Sequence, residues 1–400
     1  MRILNDMSLP AVIAGFVTVL VGFTSSAVIV FQAANTLGAT PGQVASWMWA
    51  LGLGMGLTCI LLSLRYRVPV VTAWSTPGAA MLITGAAGVS MGEATGAFLV
   101  SAAMIAVCGF SGWFERMINR IPVSLASGML AGVLLRFGMD VFNAMKTQFL
   151  LAFAMFLAYL IGRRAFPRYA VVGTLALGLA IAALQGLLHM DGIRLEFARP
   201  EFIMPAFSLP AIVGVALPLF VVTMASQNVP GVAVIRASGY TVPISPVIGW
   251  TGVANFVLAP FGAFALNLAA ITAAICMGRE AHEDPQRRYV AAVAAGIFYL
   301  LIGIFGATVG AVFAAFPKEL VLVIAGLALF GTIGNGLAAA LGNEREREPA
   351  LVTFLVTASG LTLFGVGSAF WGLVAGVIAL LTLQAGKRPA PGAAGGTTGK

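Results

Sequence analysis

Charge is the scarcest property of this chain. Asp, Glu, Lys and Arg make up 9% of its 400 residues while 60% are hydrophobic, whereas an average soluble domain carries roughly 25% charged residues. That shortage excludes a water-soluble fold, which would lack the polar surface to stay in solution. Cysteine is nearly absent as well. Cys59, Cys108 and Cys276 each stand alone in an apolar run, which excludes a CxxC motif or a disulfide framework and leaves buried free thiols as the reading. Both histidines, His189 and His282, lie at the ends of apolar stretches beside loops and read as solvated. The apolar runs hold neither a nucleophile with its base nor a metal-binding cluster, so neither an enzyme nor a bound metal or cofactor is expected.

What the chain has instead is hydrophobic length. Runs such as 11–34, 45–64, 94–114 and 290–316 recur from end to end, and each can cross the roughly 30 Å hydrocarbon layer as a helix. The formal charge of +8 and pI near 9.9 come from short basic clusters between these runs, without the aromatic-interleaved basic face of a nucleic-acid binder. With Pro, Gly and charge clusters as punctuation, spans fall near 11–34, 43–64, 68–87, 93–114, 121–143, 147–163 and 169–190, then 209–235, 244–261, 264–278, 288–314, 318–341, 349–366 and 368–385. This predicts an all-α polytopic membrane protein of about fourteen spans, with 68–87 and 264–278 the least regular. The short, mixed segment 1–9 is expected to hold no cleavable signal, and 386–400, with too little apolar content to fold, is expected to be a disordered cytoplasmic tail.

Loop charge gives an orientation. With the N-terminus inside, the inside loops receive Arg65, Arg67, Arg116, Arg120, Arg163, Arg164, Arg168, Arg236, Arg279, Arg287, Arg288, Arg345, Arg347, Lys387 and Arg388. Outside loops receive little more than Lys146, Arg194, Arg199 and Lys318. This is the positive-inside pattern, and both termini are predicted to be cytoplasmic. The polar segment 191–210 reads as an extracytoplasmic connector that divides the spans seven plus seven, and an odd number per half inverts one half relative to the other. The halves are 1–190 and 211–385. Ile13-Ala14-Gly15 can be laid on Ile212-Val213-Gly214, which sets Thr24 against Thr223.

The third span of each half is irregular. Residues 68–74 are β-branched and contain Pro69, which favours extended backbone, and Ser75-Thr76-Pro77-Gly78 then supplies an N-cap with proline in the first turn. In the second half, 259–266 contains Pro260 and Gly262 and precedes Asn267, a good N-cap for a helix over 268–276. Unwound backbone survives in a membrane only where it is buried in protein or lines a cavity. Two such breaks predict a central cavity, and half-helix N-termini, with free N–H groups and a positive dipole end, favour an anion there.

Other polar residues within the spans need partners. Gln227 and Asn228 sit in an apolar span, where binding substrate or bonding to another helix would satisfy them. Thr24, Ser25 and Ser26 lie at matching depth in the first span, and bonding to their own helix backbone is the alternative. Arg136 and Asp140 have the i, i+4 spacing of an ion pair and, as intramembrane charges, are also candidates for a proton path. Trp74 and Phe264 flank the two breaks and could stack on an aromatic substrate or serve packing alone.

Five ordered blocks, GFVTVLVGFTSSAVIVFQAA (15–34), TAWSTPGAAML (72–82), LAGVLLRFG (130–138), MASQNVPGVAV (224–234) and NLAAITAAICMGREAHEDP (267–285), carry a resemblance to the benzoate–proton symporter (BenE) family over nearly the whole chain. The resemblance implies uptake of benzoate or a similar aromatic carboxylate with protons, on a seven-plus-seven fold similar to that of nucleobase transporters. It implies core spans over 11–114 and 211–314 and gate spans over 121–190 and 318–385, with a substrate site at Ser75, Thr76, Gln227, Asn228, Asn267 and Leu268. The family pattern often has a histidine shortly before the asparagine of the second break, where this chain has Phe264. The expected partners are thus a small aromatic carboxylate, protons and the lipid bilayer, with a homodimer left open. Transport of another anion or a nucleobase, or an anion channel on the same scaffold, is the alternative.

Overall fold

The computed structural model describes residues 6–86, 88–118, 120–188, 197–314, 316–361, 363 and 368–384. The described chain is helical apart from one pair of short strands. The main helices are α1 (Leu9–Thr36), α2 (Pro41–Tyr66), α3 (Thr76–Gly85), α4 (Met91–Phe110), α5 (Val123–Ala144), α6 (Phe149–Ala165) and α7 (Ala170–Leu184), with a short helical turn, Trp113–Ile118, between α4 and α5. After the connector come α8 (Leu209–Ala237), α9 (Ile244–Leu258), α10 (Ile271–Met277), α11 (Tyr289–Ala314), α12 (Lys318–Leu341), α13 (Arg347–Ala358) and α14 (Ser368–Gln384). Among the described residues, Pro41–Tyr66, Met91–Phe110, Val123–Ala144, Leu209–Ala237, Ile244–Phe261, Pro285–Gly306 and Lys318–Leu341 are long and apolar enough to cross a membrane. This is a multi-pass helical membrane protein.

Local sequence sets the helix ends. Thr40 and Gln43 form a capping box at α2, with Pro41 in the first turn, and Ser90 and Glu93 form another at α4. Arg67 ends α2 in the left-handed conformation at φ 54°. Two prolines shape α8. Each proline ring crowds the carbonyl four residues earlier, which is Gly214 for Pro218 and Ser226 for Pro230. Both carbonyls lie in π-helical turns, Ile212–Ala216 and Met224–Asn228, where the widened backbone accommodates the ring. α11 leaves helical geometry once, at Gly306.

Helices from distant parts of the chain pack in pairs. α2 lies on α11 and α4 on α9; α1 runs against α11 and α3; α5 packs on α12 and α13, α13 on α14, and α6 on α7. Small residues permit the closest approaches, as at many membrane helix interfaces. A Cβ on Gly52 would stand 2.6 Å from the Gly303 backbone, and one on Gly109 would stand 2.4 Å from that of Gly249. The described part of the connector is strapped across helix ends by backbone bonds. Ala198, Ile203 and Ala206 donate their N–H groups to the carbonyls of Ile304, Pro260 and Gly92, at 2.9, 2.8 and 2.9 Å.

Candidate functional site

The two irregular stretches meet. β1 (Thr72–Ala73) pairs antiparallel with β2 (Asn267–Leu268), Thr72 opposite Leu268 and Ala73 opposite Asn267. Each strand is followed by a half-length helix, α3 or α10. This junction is the one place where backbone from distant parts of the chain joins through strand pairing among the described residues.

Neighbouring helices satisfy the unwound backbone. In the first break, the Ser63 hydroxyl accepts the Val70 N–H at 3.0 Å and donates to the Val70 carbonyl at 3.1 Å. The Thr72 hydroxyl lies 2.7 Å from that of Thr58, and the Thr72 N–H donates to the Cys59 sulfur at 3.2 Å. In the second break, Asn228 Oδ1 accepts the Leu268 N–H at 2.9 Å and Asn255 Oδ1 accepts the Leu266 N–H at 3.4 Å. Ala265 occupies the left-handed region at φ 47°, and Asn267 Nδ2 donates to its carbonyl at 2.9 Å.

The half-helices start differently. Ser75 caps α3, its hydroxyl accepting the Gly78 N–H at 3.0 Å, with Pro77 in the first turn. The expected cap of α10 by Asn267 is not formed. Strand pairing carries the chain on to Ala270 before α10 begins, and Ala270 offers no side-chain cap. The Ala269 N–H already donates to the Val71 carbonyl at 2.9 Å, and the first helical bond runs from Ala274 to Ala270 at 3.2 Å. The N–H groups of Ala270, Ile271 and Thr272 therefore precede the hydrogen-bonded turn.

These residues face a small cavity of about 90 Å³. Its lining includes Gly22 and Ser26 of α1, Trp74 and Thr76 at the first break, Gln227 of α8 and Tyr299 of α11. Val21, Met55, Phe137 and Ile271 give it apolar walls, and among the described residues no charged side chain lines it. Trp74 Nε1 donates to the Ser26 hydroxyl at 2.9 Å, which in turn donates to the Gly22 carbonyl at 2.9 Å. That chain fixes the indole edge, and the Phe23 ring supports it edge-on at 6.1 Å.

Of the sequence-predicted residues, Trp74, Thr76 and Gln227 thus come together on the cavity. Ser75 lies buried directly behind it as the helix cap. Asn228, Asn267 and Leu268 belong to the strand junction, where Asn228 also donates to the Met224 sulfur at 3.2 Å. Phe264 is not among the lining residues and packs in an aromatic cluster with Trp47 at 5.4 Å and Phe98 at 5.8 Å. Thr24 and Ser25 fall within α1, and their side chains lie outside the described residues.

Arg136 and Asp140 make no ion pair. Arg136 is exposed and Asp140 accepts from Asn143 at 3.4 Å. The order is the weaker one, with the base N-terminal to the acid, and an exposed i, i+4 pair is worth only about 0.3–0.5 kcal/mol. Sequence reasoning missed Met55, Phe137 and Tyr299. Tyr299 carried a usable signal, because a tyrosine in an apolar run needs a destination for its hydroxyl.

The family model described as benzoate membrane transport protein (BenE) matches residues 5–382. The chain is 50% identical to the inner membrane protein YdcO of Escherichia coli over 375 residues, 94% of this chain and 96% of that protein. It is 41% identical to the benzoate membrane transport protein of Acinetobacter baylyi over 379 residues, 95% of this chain and 96% of that one. A solved structure of SLC26A9 shares the fold, with a TM-score of 0.52 at 14% identity, covering 96% of this chain and 67% of that one. The paired breaks, the cavity behind them and the near full-length match agree, and the chain belongs to the BenE family of membrane transporters.

Proposed function

We propose that the protein imports benzoate or a similar aromatic carboxylate across the inner membrane by proton symport, binding it in the cavity between the two half-helices. The observation that carries this reading is the pairing of apolar, aromatic walls with neutral donors and no cationic side chain among the described lining residues. The carboxylate accepts from the N–H groups at the start of α10 and from Thr76 and Gln227, with the ring against Trp74, Phe137 and Met55. A site without fixed positive charge disfavours small, strongly hydrated anions, whose desolvation it cannot offset. An aromatic carboxylate brings its own apolar surface.

Import of a monoanion against an inside-negative potential costs about 2.3 kcal/mol per 100 mV, and one accompanying proton cancels that charge. One-to-one symport is therefore the minimal stoichiometry. The packing partners support an inverted repeat, since they survive exchange of the halves. The α2–α11 contact becomes α9–α4 under that exchange, α6–α7 becomes α13–α14, and β1–β2 maps onto itself. They also support a core of α1–α4 with α8–α11 and a gate of α5–α7 with α12–α14, with Phe137 the gate's contribution to the cavity. In this reading both termini are cytoplasmic and the core moves against the gate. Labelled benzoate uptake into proteoliposomes tests it. Saturable uptake that an imposed inward proton gradient accelerates is expected, and indifference to that gradient defeats the symport claim.

A further inference from the structure

We propose that the Tyr299 hydroxyl is the side-chain donor that selects a carboxylate in this cavity, and that Gly22 is the residue that makes room for it. The inference rests on reading the cavity as the site of an aromatic carboxylate. Tyr299 lies on α11, is 2% exposed and lines the cavity. A buried tyrosine hydroxyl normally finds a partner, and another in this protein does. Buried Tyr289 donates to Asp6 at 2.8 Å. Tyr299 has no hydrogen bond to any described residue, so its one polar atom is left for whatever fills the cavity.

Position points the same way. A Cβ on Gly22 would stand 3.2 Å from the Tyr299 hydroxyl and 3.5 Å from Cγ2 of Thr272. The hydroxyl and the first turn of α10 therefore converge on one corner of the cavity, over the bare backbone of Gly22. A carboxylate oxygen that accepts from the α10 N–H groups has the phenol within reach of its partner oxygen. A hydrogen bond to a charged group contributes more than a neutral one, while an unmade bond in a buried site is costly. The empty hydroxyl thus rewards a carboxylate and penalises a ligand that presents only carbon at that corner.

The test uses the full-length protein in proteoliposomes, with labelled benzoate and competition by para-substituted benzoates of graded basicity. In the wild type, affinity is expected to rise with carboxylate basicity. Tyr299→Phe keeps the ring and removes the donor. It should raise KM for benzoate roughly ten- to hundredfold, hold the maximal rate within about twofold, and flatten the dependence on basicity. Gly22→Ala, which crowds the same corner, should raise KM in the same direction and covers the case in which Tyr299→Phe fails to fold. An unchanged KM in a folded variant, or a uniform loss that leaves the basicity slope intact, overturns the assignment and marks Tyr299 as packing. Absence of saturable benzoate uptake by the wild type would instead overturn the functional reading, and this inference with it.

Discussion

The two broken stretches pair with each other through β1 and β2, yet they are built by different means. The first is capped by Ser75 and stiffened by Pro69 and Pro77, and it is held by α2, the helix just before it, through Ser63, Thr58 and Cys59. The second has no cap, turns through Ala265 in the left-handed region, and is held by the amides Asn228 on α8 and Asn255 on α9. One architecture therefore tolerates two chemistries, provided every unwound backbone group finds a partner. The difference also divides labour. A capped start leaves fewer donors for a ligand, because Pro77 has no N–H and Gly78 donates to Ser75. The uncapped start of α10 keeps its donors, which in the proposed reading makes the second break the anion-facing half of the site.

The largest expected effect comes from removing that asymmetry. Ala270→Asp places a carboxylate at the N-cap of α10, on the cavity wall. A capping acid stabilises a helix start by about 1 kcal/mol, so thermal stability in detergent should hold or rise. Benzoate uptake should fall more than tenfold, because the built-in carboxylate occupies the donors and repels a second anion. A variant that transports normally would dissociate the α10 terminus from substrate binding.

Next come the anchors. Ser63→Ala strands both the N–H and the carbonyl of Val70, whereas Asn228→Ala strands the N–H of Leu268. Each orphaned buried group costs about 1–3 kcal/mol, so both variants should unfold at lower temperature, Ser63→Ala by the larger margin. Reversal of that order would mean that Asn228 carries more than the strand junction. Smaller again is Ser75→Ala. Loss of the cap should cost about 1 kcal/mol while leaving benzoate KM within about twofold, since Ser75 lies behind the cavity rather than on it. Matched losses of affinity in Ser75→Ala and Ala270→Asp would erase the division of labour between the two breaks.

Much of this was legible in the sequence. Proline, β-branching and the Ser75 cap announced the first break, and hydropathy announced the long helices, because both signals act over a few neighbouring residues. The second break was located correctly, but its cap was misassigned. Asn267 has the chemistry of a cap, and only tertiary pairing of β2 with β1 draws it into a strand. Gln227 and Asn228 looked alike as buried amides. One turns to the cavity and the other to the Leu268 N–H, because neighbouring residues on a helix point about 100° apart and only the surrounding fold decides what each meets. Tyr299 and Phe137 reach the site from helices that give no local hint of it, since a helix reports its own period and not which neighbour it will face.

The last contrast lies at the far ends of the half-helices. α3 ends at Gly85 with no charged residue in its last turn, whereas the loop after α10 carries Glu280, which pairs with Arg163 at the end of α6. The Glu280 side chain is 5% exposed and that of Arg163 42%. Gly331 of α12 allows the pair to sit close, since a Cβ there would lie 2.9 Å from the Glu280 carboxylate. The pair thus ties the loop after one half-helix to α6 and α12. Because Arg163 is partly exposed, its coupling to Glu280 should be about 1 kcal/mol or less, measured by a double-mutant cycle on Arg163→Gln and Glu280→Gln in thermal unfolding. If α10 moves with the core while α6 and α12 stay with the gate, the same variants should alter the rate of benzoate counterflow more than they alter stability. Equal and additive effects on both would make the pair a static brace.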